Sequence, residues 1–174
     1  MAELPHHDLR QRNIDLIIGR LPPTLPEDLE ATTLHNETLL ILAGSANPLT
    51  RRRKVTLSEL ADQLWCGPSF DIFPWSLMGD AFRAKGFEIP RRVIRTRSIV
   101  VRNRLVASGR FLTVLPHSVL HFAGRDLGLK RVPLDLPLAK YPAGIVTLKA
   151  RTLNPAAQVF IDCAREIAKS FAAT

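Results

Sequence analysis

The run from Ser98 to Pro116 constrains the fold of this chain more than any other segment. It predicts a helix that begins at Ser98, whose hydroxyl can accept a hydrogen bond from a free backbone N–H, and that ends at Gly109, where a left-handed residue is favoured. Phe111–Leu115 is then short and apolar enough to be a strand buried on both faces. A helix that leads directly into a buried strand is the unit of a parallel α/β sheet, in which ligands bind at the strand carboxyl ends.

The remaining pattern supports an α/β architecture, because strand and helix signals alternate with short connections. Strands are predicted at residues 14–20, 37–43, 64–66, 93–96 and 143–150, and helices at 57–64, at 74–85 and from Asn154 onward. A capping box at Thr56–Glu59 and the pair Asn154-Pro155 mark two of the helix starts. Residues 25–33 are predicted to form a loop, and Cys66 and Cys163 to be buried thiols.

Composition and charge narrow the classes of function. The 174 residues are 46% apolar and carry a net charge of +8, which fits a soluble globular protein with anionic partners, nucleic acid included. Only 6% of the residues are aromatic, which argues against a base-stacking platform. The basic runs at 51–54 and 91–104 are expected to be solvated faces, with a nucleic-acid patch as the alternative. The sequence shows no signal peptide and no membrane span, so we expect a cytoplasmic protein.

Sequence motifs for catalysis and cofactor binding are missing. The chain has no Gly-x-Ser-x-Gly elbow, no P-loop, no Gly-x-Gly-x-x-Gly and no Cys/His set at metal-binding spacing. We therefore expect no catalytic residue, no cofactor and no metal. Residues 56–64 look like the first helix of a helix-turn-helix. However, Trp65–Trp75 places two prolines and four aromatic residues where the second helix should begin, so we reject that motif.

Two serines stand at consecutive strand-to-helix junctions. Ser69 and Ser98 each follow a predicted strand, at a position where free N–H groups and the helix dipole suit an anion such as a carboxylate. Each serine can equally be a simple cap, and both interpretations stay open. Arg20 ends the first strand and either adds a charge to the same cleft or lies on the surface. Thr113 lies in an apolar strand and either lines the cleft or bonds internally.

The sequence resembles the effector-binding domain of LysR-type transcriptional regulators from about Leu9 to Ala168. Five segments in the family's order carry the resemblance, and these are Leu9–Gly19, Leu34–Leu49, Thr56–Ala61 with Trp65 after it, Leu105–Pro116 and Leu153–Asp162. The resemblance implies an α/β fold like that of type 2 periplasmic binding proteins, with two lobes, a two-strand hinge and an effector cleft.

The resemblance also implies a domain division. Residues 1–42 and 142–174 would form an incomplete first lobe, and residues 43–141 the second lobe. The strands that cross between the lobes would be Leu39–Ala43 and Pro137–Tyr141.

Effector contacts follow from the same comparison with the family. By position, Gly67–Phe70, Ser98 and Thr113 match cleft segments of the second lobe, and Arg20 matches the end of a first-lobe strand. The expected effector-binding residues are therefore Ser69, Phe70, Ser98, Thr113 and Arg20.

The function that the resemblance implies is that of a regulatory domain. Such a domain senses a small anionic or polar metabolite and forms a homo-oligomer. Family members begin with a winged helix-turn-helix and a linker helix, and neither is in this sequence, so we expect an N-terminally truncated regulator. DNA would then be bound only through a helix-turn-helix domain that this chain lacks. The alternatives are a basic nucleic-acid-binding module and a non-functional truncated regulator.

Overall fold

The computed structural model describes residues 6–134, 138 and 140–172. In these residues the chain forms, in order, α1 (His6–Arg10), β1 (Leu16–Arg20), β2 (Leu29–Gly44), a 3-10 helix (Pro48–Arg51), α2 (Leu57–Ala61), β3 (Trp65–Gly67), α3 (Trp75–Ala84), β4 (Val93–Arg95), α4 (Ile99–Ala107), β5 (Leu112–Pro116), α5 (His117–Ala123), β6 (Leu129–Arg131), β7 (Lys140–Leu148) and α6 (Pro155–Ala172). The chain divides into two compact units, Met1–Glu37 with Lys140–Thr174 and Thr38–Ala139.

The first unit is built on antiparallel strands. Strand β7 pairs with β1, with Ile17 opposite Val146, and has β2 on its other side. The apolar residues of these strands pack with the helix and loops before β2, and the buried cluster consists of Leu9, Ile17, Leu21, Leu29 and Val146. A bidentate contact from Arg10 to Asp28, with distances of 2.6 and 2.9 Å, ties α1 to the segment before β2.

The second unit is built around β5. This strand pairs antiparallel with β2, with Ile41 opposite Val114, and parallel with β3, which in turn pairs parallel with β4. Residues Leu112 to Leu115 are buried, which confirms the prediction of a strand covered on both faces. One core cluster of this unit consists of Leu40, Leu42, Cys66, Val106, Leu115 and Leu129.

The predicted helix boundaries at three caps are confirmed. The Ser98 hydroxyl accepts a hydrogen bond from the Val101 amide at 3.3 Å, and Gly109 has a φ of +79° after α4. The Thr56 amide donates to the Glu59 carboxylate at 2.8 Å at the start of α2. The Asn154 side chain accepts from the Ala157 amide at 2.8 Å at the start of α6.

Other local predictions are wrong. Residues 25–33 are not all loop, because β2 begins at Leu29. The first part of β2 lies against β7. The two strands are so close that a Cβ added at Gly144 would lie 2.2 Å from the Thr32 carbonyl oxygen. Pairing with a distant strand, which local propensity does not report, extends β2. Cys66 is buried as predicted, but Cys163 is exposed. Of the predicted crossing Pro137–Tyr141, residues 137 and 139 lie outside the described residues.

Helix α4 exposes an apolar surface. Ile99, Val101, Leu105 and Val106 fall at helical spacing, but only Val106 is buried, and Leu105 is partly buried against the core cluster. Ile99, Val100 and Val101 are 63%, 71% and 47% exposed. The start of α4 therefore presents three consecutive apolar side chains to solvent.

Candidate functional site

A cavity of about 360 Å³ lies in the second unit, against strand β4, helix α3 and the loop that follows β3. Its lining residues are Ser69, Phe70, Asp71, Arg83, Ile89, Pro90, Arg91, Val93 and Arg95, and we call it the Ser69 cavity. It therefore combines apolar walls with three arginines and one carboxylate. Two of the five residues expected from the sequence, Ser69 and Phe70, line it.

An aromatic cluster fixes the Phe70 wall. The Phe70 ring is 6% exposed and lies 5.7 Å from the ring of Trp65 and 4.9 Å from that of Trp75, measured between centroids. Both indoles are hydrogen-bonded to the backbone, since Trp65 donates to the Leu60 carbonyl at 3.1 Å and Trp75 to the Val114 carbonyl at 3.2 Å. Buried aromatic pairs with satisfied N–H groups hold a wall of this kind rigid.

Charged groups surround the cavity. The Ser69 side chain and the backbone amide of Asp71 donate to the Asp71 carboxylate and lower its pKa, and the positive charges of Arg95 and Arg83 lower this pKa further. Arg83 also contacts Asp80 at 2.7 Å.

Arg91 and Arg95 differ in their carboxylate contacts. Arg91 contacts Glu88 at 2.6 Å, whereas no salt bridge to Arg95 occurs among the described residues. Arg95 interacts with Asp71 only through the longer-range attraction that lowers the Asp71 pKa, so among the three arginines it has the most capacity for a ligand.

The other expected residues lie elsewhere. Ser98 caps α4 and is not among the residues that line the Ser69 cavity. Thr113 is fully buried in β5, opposite Leu42 of β2. Arg20 ends β1 in the first unit.

Arg20 belongs to a polar group in the first unit. Burial, together with the negative charge of Glu37, raises the pKa of Tyr141 to about 12, and the positive charge of Arg20 opposes both effects. Glu37 is 3% exposed and lies 3.3 Å from the His35 ring nitrogen. Arg20 is therefore placed beside a buried polar cluster of β2 and β7.

Thr113 carries a hydroxyl that the fold does not satisfy, since its Oγ1 is buried with no hydrogen-bond partner among the described residues. Replacing it with valine keeps the shape and removes the desolvated hydroxyl, so we expect Thr113→Val to stabilise the protein by about 1 kcal/mol. Urea unfolding measures the change. The control is Thr147→Val, because the Thr147 hydroxyl donates to Glu30 at 3.2 Å and its loss should destabilise by about 1 kcal/mol. Destabilisation by Thr113→Val would contradict the prediction.

Residues 2–169 match the family described as LysR substrate binding domain. The chain belongs to this family. The resemblance drawn from the sequence is confirmed, and so is the class of function at the level of the domain, that of an effector-binding regulatory domain.

Curated relatives of this LysR substrate-binding domain are named as transcriptional regulators. The regulator GbpR of Azospirillum brasilense is 28% identical over 159 residues, which are 90% of this chain and 46% of the relative. GalR of Pseudomonas putida is 27% identical over 162 residues, which are 92% of this chain and 40% of the relative. The chain thus spans about half the length of the curated relatives that it matches.

Solved structures confirm the predicted fold class, α/β and type 2 periplasmic-binding-protein-like. The CcmR regulatory domain of Synechocystis, in complex with 2-PG, aligns with a TM-score of 0.71 and 20% identity over 94% of this chain and 78% of that one. The BenM effector-binding domain with benzoate aligns with a TM-score of 0.68 and 22% identity over 97% of this chain and 76% of that one. At these identities the likeness establishes the fold.

The cavity contains residues that the sequence analysis did not single out as a site. Arg91 and Arg95 belong to a run that the sequence predicts to be a solvated face, and no motif marks Arg83 or Asp71. The sequence did contain one signal for a shared surface, the two-residue spacing of Val93 and Arg95 on one strand. Side chains two residues apart on a strand point to the same face of the sheet. Their convergence with Arg83 depends on how α3 packs, which no local pattern reports.

The described residues contain no group of three or more His, Cys, Asp or Glu side chains placed to hold a metal ion. None of the helices in this part of the chain has the length and hydropathy needed to cross a membrane.

Proposed function

We propose that this LysR substrate-binding domain senses a small organic anion, which it binds in the Ser69 cavity, and that it does so as part of a transcriptional regulator. The observation that carries the proposal is the set of three guanidinium groups, from Arg83, Arg91 and Arg95, around a cavity with apolar walls. Arginine forks match carboxylates in a bidentate manner, and apolar walls bind the body of the ligand.

The ligand class follows from size and charge. About 360 Å³ falls at the small end of the range for small-molecule pockets. The walls formed by Ile89, Pro90 and Val93 suit a carbon skeleton, and Arg95 suits a carboxylate. Structural neighbours bind ligands of this class, since BenM was solved with benzoate and QuiR with shikimate.

The remaining expectations from the sequence are kept apart from the Ser69 cavity. Ser98, Thr113 and Arg20, none of which lines that cavity, stay predicted effector contacts, and residues 1–42 with 142–174 and residues 43–141 are proposed as the two lobes. We also propose that the domain has no catalytic activity and lies in the cytoplasm, because its curated relatives are named as transcriptional regulators. DNA would be bound through a helix-turn-helix domain rather than through these residues.

A ligand screen tests the proposal. We expect at least one small carboxylate to raise the melting temperature by roughly 5–10 °C at about a hundred times its Kd, because a ligand at that concentration adds about 2.7 kcal/mol. The matched neutral amide should give no shift. Arg95→Gln should weaken the binding of that acid by about 10- to 100-fold, the loss expected for one charged hydrogen bond.

The control is Arg110→Gln, which removes an exposed arginine of the same unit that does not line the cavity. Its effect on affinity should be less than about twofold, the effect of one distant screened charge. If no acid shifts the melting temperature, or if Arg95→Gln and Arg110→Gln weaken binding equally, the Ser69 cavity is not the effector site.

We further propose that the domain forms a homodimer through the exposed start of α4. Burying Ile99, Val100 and Val101 against a second copy would remove an apolar patch from water. Val100→Glu should convert the dimer to a monomer in sedimentation equilibrium. Ile72→Glu, at an exposed apolar side chain of a loop in the same unit, should leave it a dimer. A dimer that survives Val100→Glu would contradict this interface.

A further inference from the structure

A second cavity, a wide surface depression of about 440 Å³, lies on the second unit and shares no residue with the Ser69 cavity. Its lining residues are Thr50, Arg52, Arg53, Lys54, Arg131, Pro133 and Leu134, and we call it the Arg131 cavity. We propose that the Arg131 cavity is a separate anion site that binds the phosphate groups of a small phosphorylated molecule. It does not depend on the proposed effector site.

Backbone contacts bring the cations of this cavity together. The Val55 amide donates to the Pro133 carbonyl at 2.8 Å, and Val55 forms a parallel bridge with Leu134. Val55 is fully buried, so this contact is anchored in the core. It holds the basic run that ends at Lys54 beside the end of β6, where Arg131 lies. Residues distant in sequence thereby share one wall.

The segment that carries the basic run is also rigid at its start. Asn47 is 5% exposed, and its side chain donates to the Gly109 carbonyl at 2.8 Å and accepts from the Leu49 amide at 2.9 Å. The Thr50 hydroxyl donates to the Asn47 carbonyl at 2.8 Å. A backbone ordered in this way before a ligand arrives reduces the entropic cost of binding.

Basic side chains dominate the lining of the Arg131 cavity. Four of its seven lining residues are cationic and none of the seven is acidic. Arg52 contacts the Glu59 carboxylate at 3.2 Å, but this carboxylate also accepts from the Thr56 amide at the start of α2. Arg53 and Arg131 place two positive charges in this cavity, and a multivalent anion relieves the repulsion between them.

The chemistry favours phosphate on a small molecule. Arginine forks bind phosphate oxygens in a bidentate manner, and a phosphate group carries more charge near neutral pH than a single carboxylate. The volume of about 440 Å³ lies in the range of small-molecule pockets. None of the seven lining residues is aromatic, so the cavity offers no surface on which a nucleic-acid base could stack.

Pyrophosphate is the probe for the test, and isothermal titration of the full chain at an ionic strength of about 0.15 M is the measurement. We expect saturable binding with one equivalent. The double variant Arg53→Gln with Arg131→Gln should weaken it at least tenfold, or about 1.4 kcal/mol. All four arginines used in the test and its control are exposed, so neither double variant removes a core contact.

The matched control, Arg110→Gln with Arg125→Gln, removes two positive charges from the same unit and should change the affinity by less than about twofold, the effect of screened distant charges. Arg95→Gln should leave pyrophosphate binding unchanged, which separates this site from the Ser69 cavity.

Three outcomes would overturn the proposal. The first is the absence of saturable pyrophosphate binding. The second is equal weakening by the two double variants, which would show a diffuse effect of the net charge of +8. The third is that a short DNA duplex binds and pyrophosphate does not, with DNA binding lost in the variant that lacks Arg53 and Arg131. That result would make this surface a nucleic-acid contact.

Discussion

Gly67→Ala should destabilise the protein by about 3 kcal/mol, because a Cβ at this position has no room. Built on the backbone, it would lie 2.0 Å from Cζ2 and 2.5 Å from Cε2 of Trp75. The indole cannot move aside easily, since it is 1% exposed and donates to the Val114 carbonyl at 3.2 Å. Urea unfolding followed by circular dichroism measures the change in the free energy of unfolding.

Gly19→Ala is the matched control for this change. Gly19 also lies in a strand, but no atom comes within 4 Å of its added Cβ. Alanine restricts the unfolded chain more than glycine does, so we expect a change between zero and a gain of about 1 kcal/mol. If both substitutions lower the free energy of unfolding by the same amount, the loss would come from replacing any strand glycine. The contact with Trp75 would then not explain the effect of Gly67→Ala.

Trp75→Ala should cost about 4 kcal/mol, the range found when a fully buried aromatic residue is truncated. The substitution removes two ring contacts, to Trp65 at 5.8 Å and to Phe70 at 4.9 Å between centroids, and leaves a cavity beside Gly67. Because Phe70 lines the Ser69 cavity, the same variant should also weaken binding of the effector. Urea unfolding and the ligand-induced melting shift measure the two effects.

Trp75→Phe and a double variant serve as controls. Trp75→Phe keeps an aromatic ring and loses the hydrogen bond to Val114, so it should cost only about 1–2 kcal/mol. In Gly67→Ala with Trp75→Ala, the new Cβ occupies space that the indole has left. The cost should therefore be at least about 1 kcal/mol less than the sum of the two single variants. Strict additivity would contradict the proposed clash.

Local signals in the sequence predicted most of the elements of the second unit. The cap at Ser98 and the left-handed residue at Gly109 delimit α4, and the apolar run that follows forms β5. Such signals are reliable because each one acts between residues a few positions apart, where the backbone itself imposes the geometry. The start of β2 has no such local signal, because it depends on a distant partner strand.

The Ser69 cavity was only partly predictable. Ser69 and Phe70 stand at the end of a strand, where the fold class predicts ligand contacts. Arg83, Arg91 and Arg95 come from a helix, a loop and a strand, and each alone is typical of a solvated surface. The residues that define the charge of the cavity therefore carry no individual signal in the sequence.

The sequence by itself determined the fold class and the order of helices and strands, since the apolar periodicity and the caps around Ser98 and Asn154 are local properties of the chain. Only the tertiary structure decided which side chains meet. The fold brings Arg83 of α3, Arg91 of the loop before β4 and Arg95 of β4 to the Ser69 cavity, and the bridge from Val55 to Leu134 gathers the arginines of the Arg131 cavity. The tertiary structure also leaves the apolar start of α4 exposed. Burial depends on which surfaces face each other and not on the hydrophobicity of a segment alone.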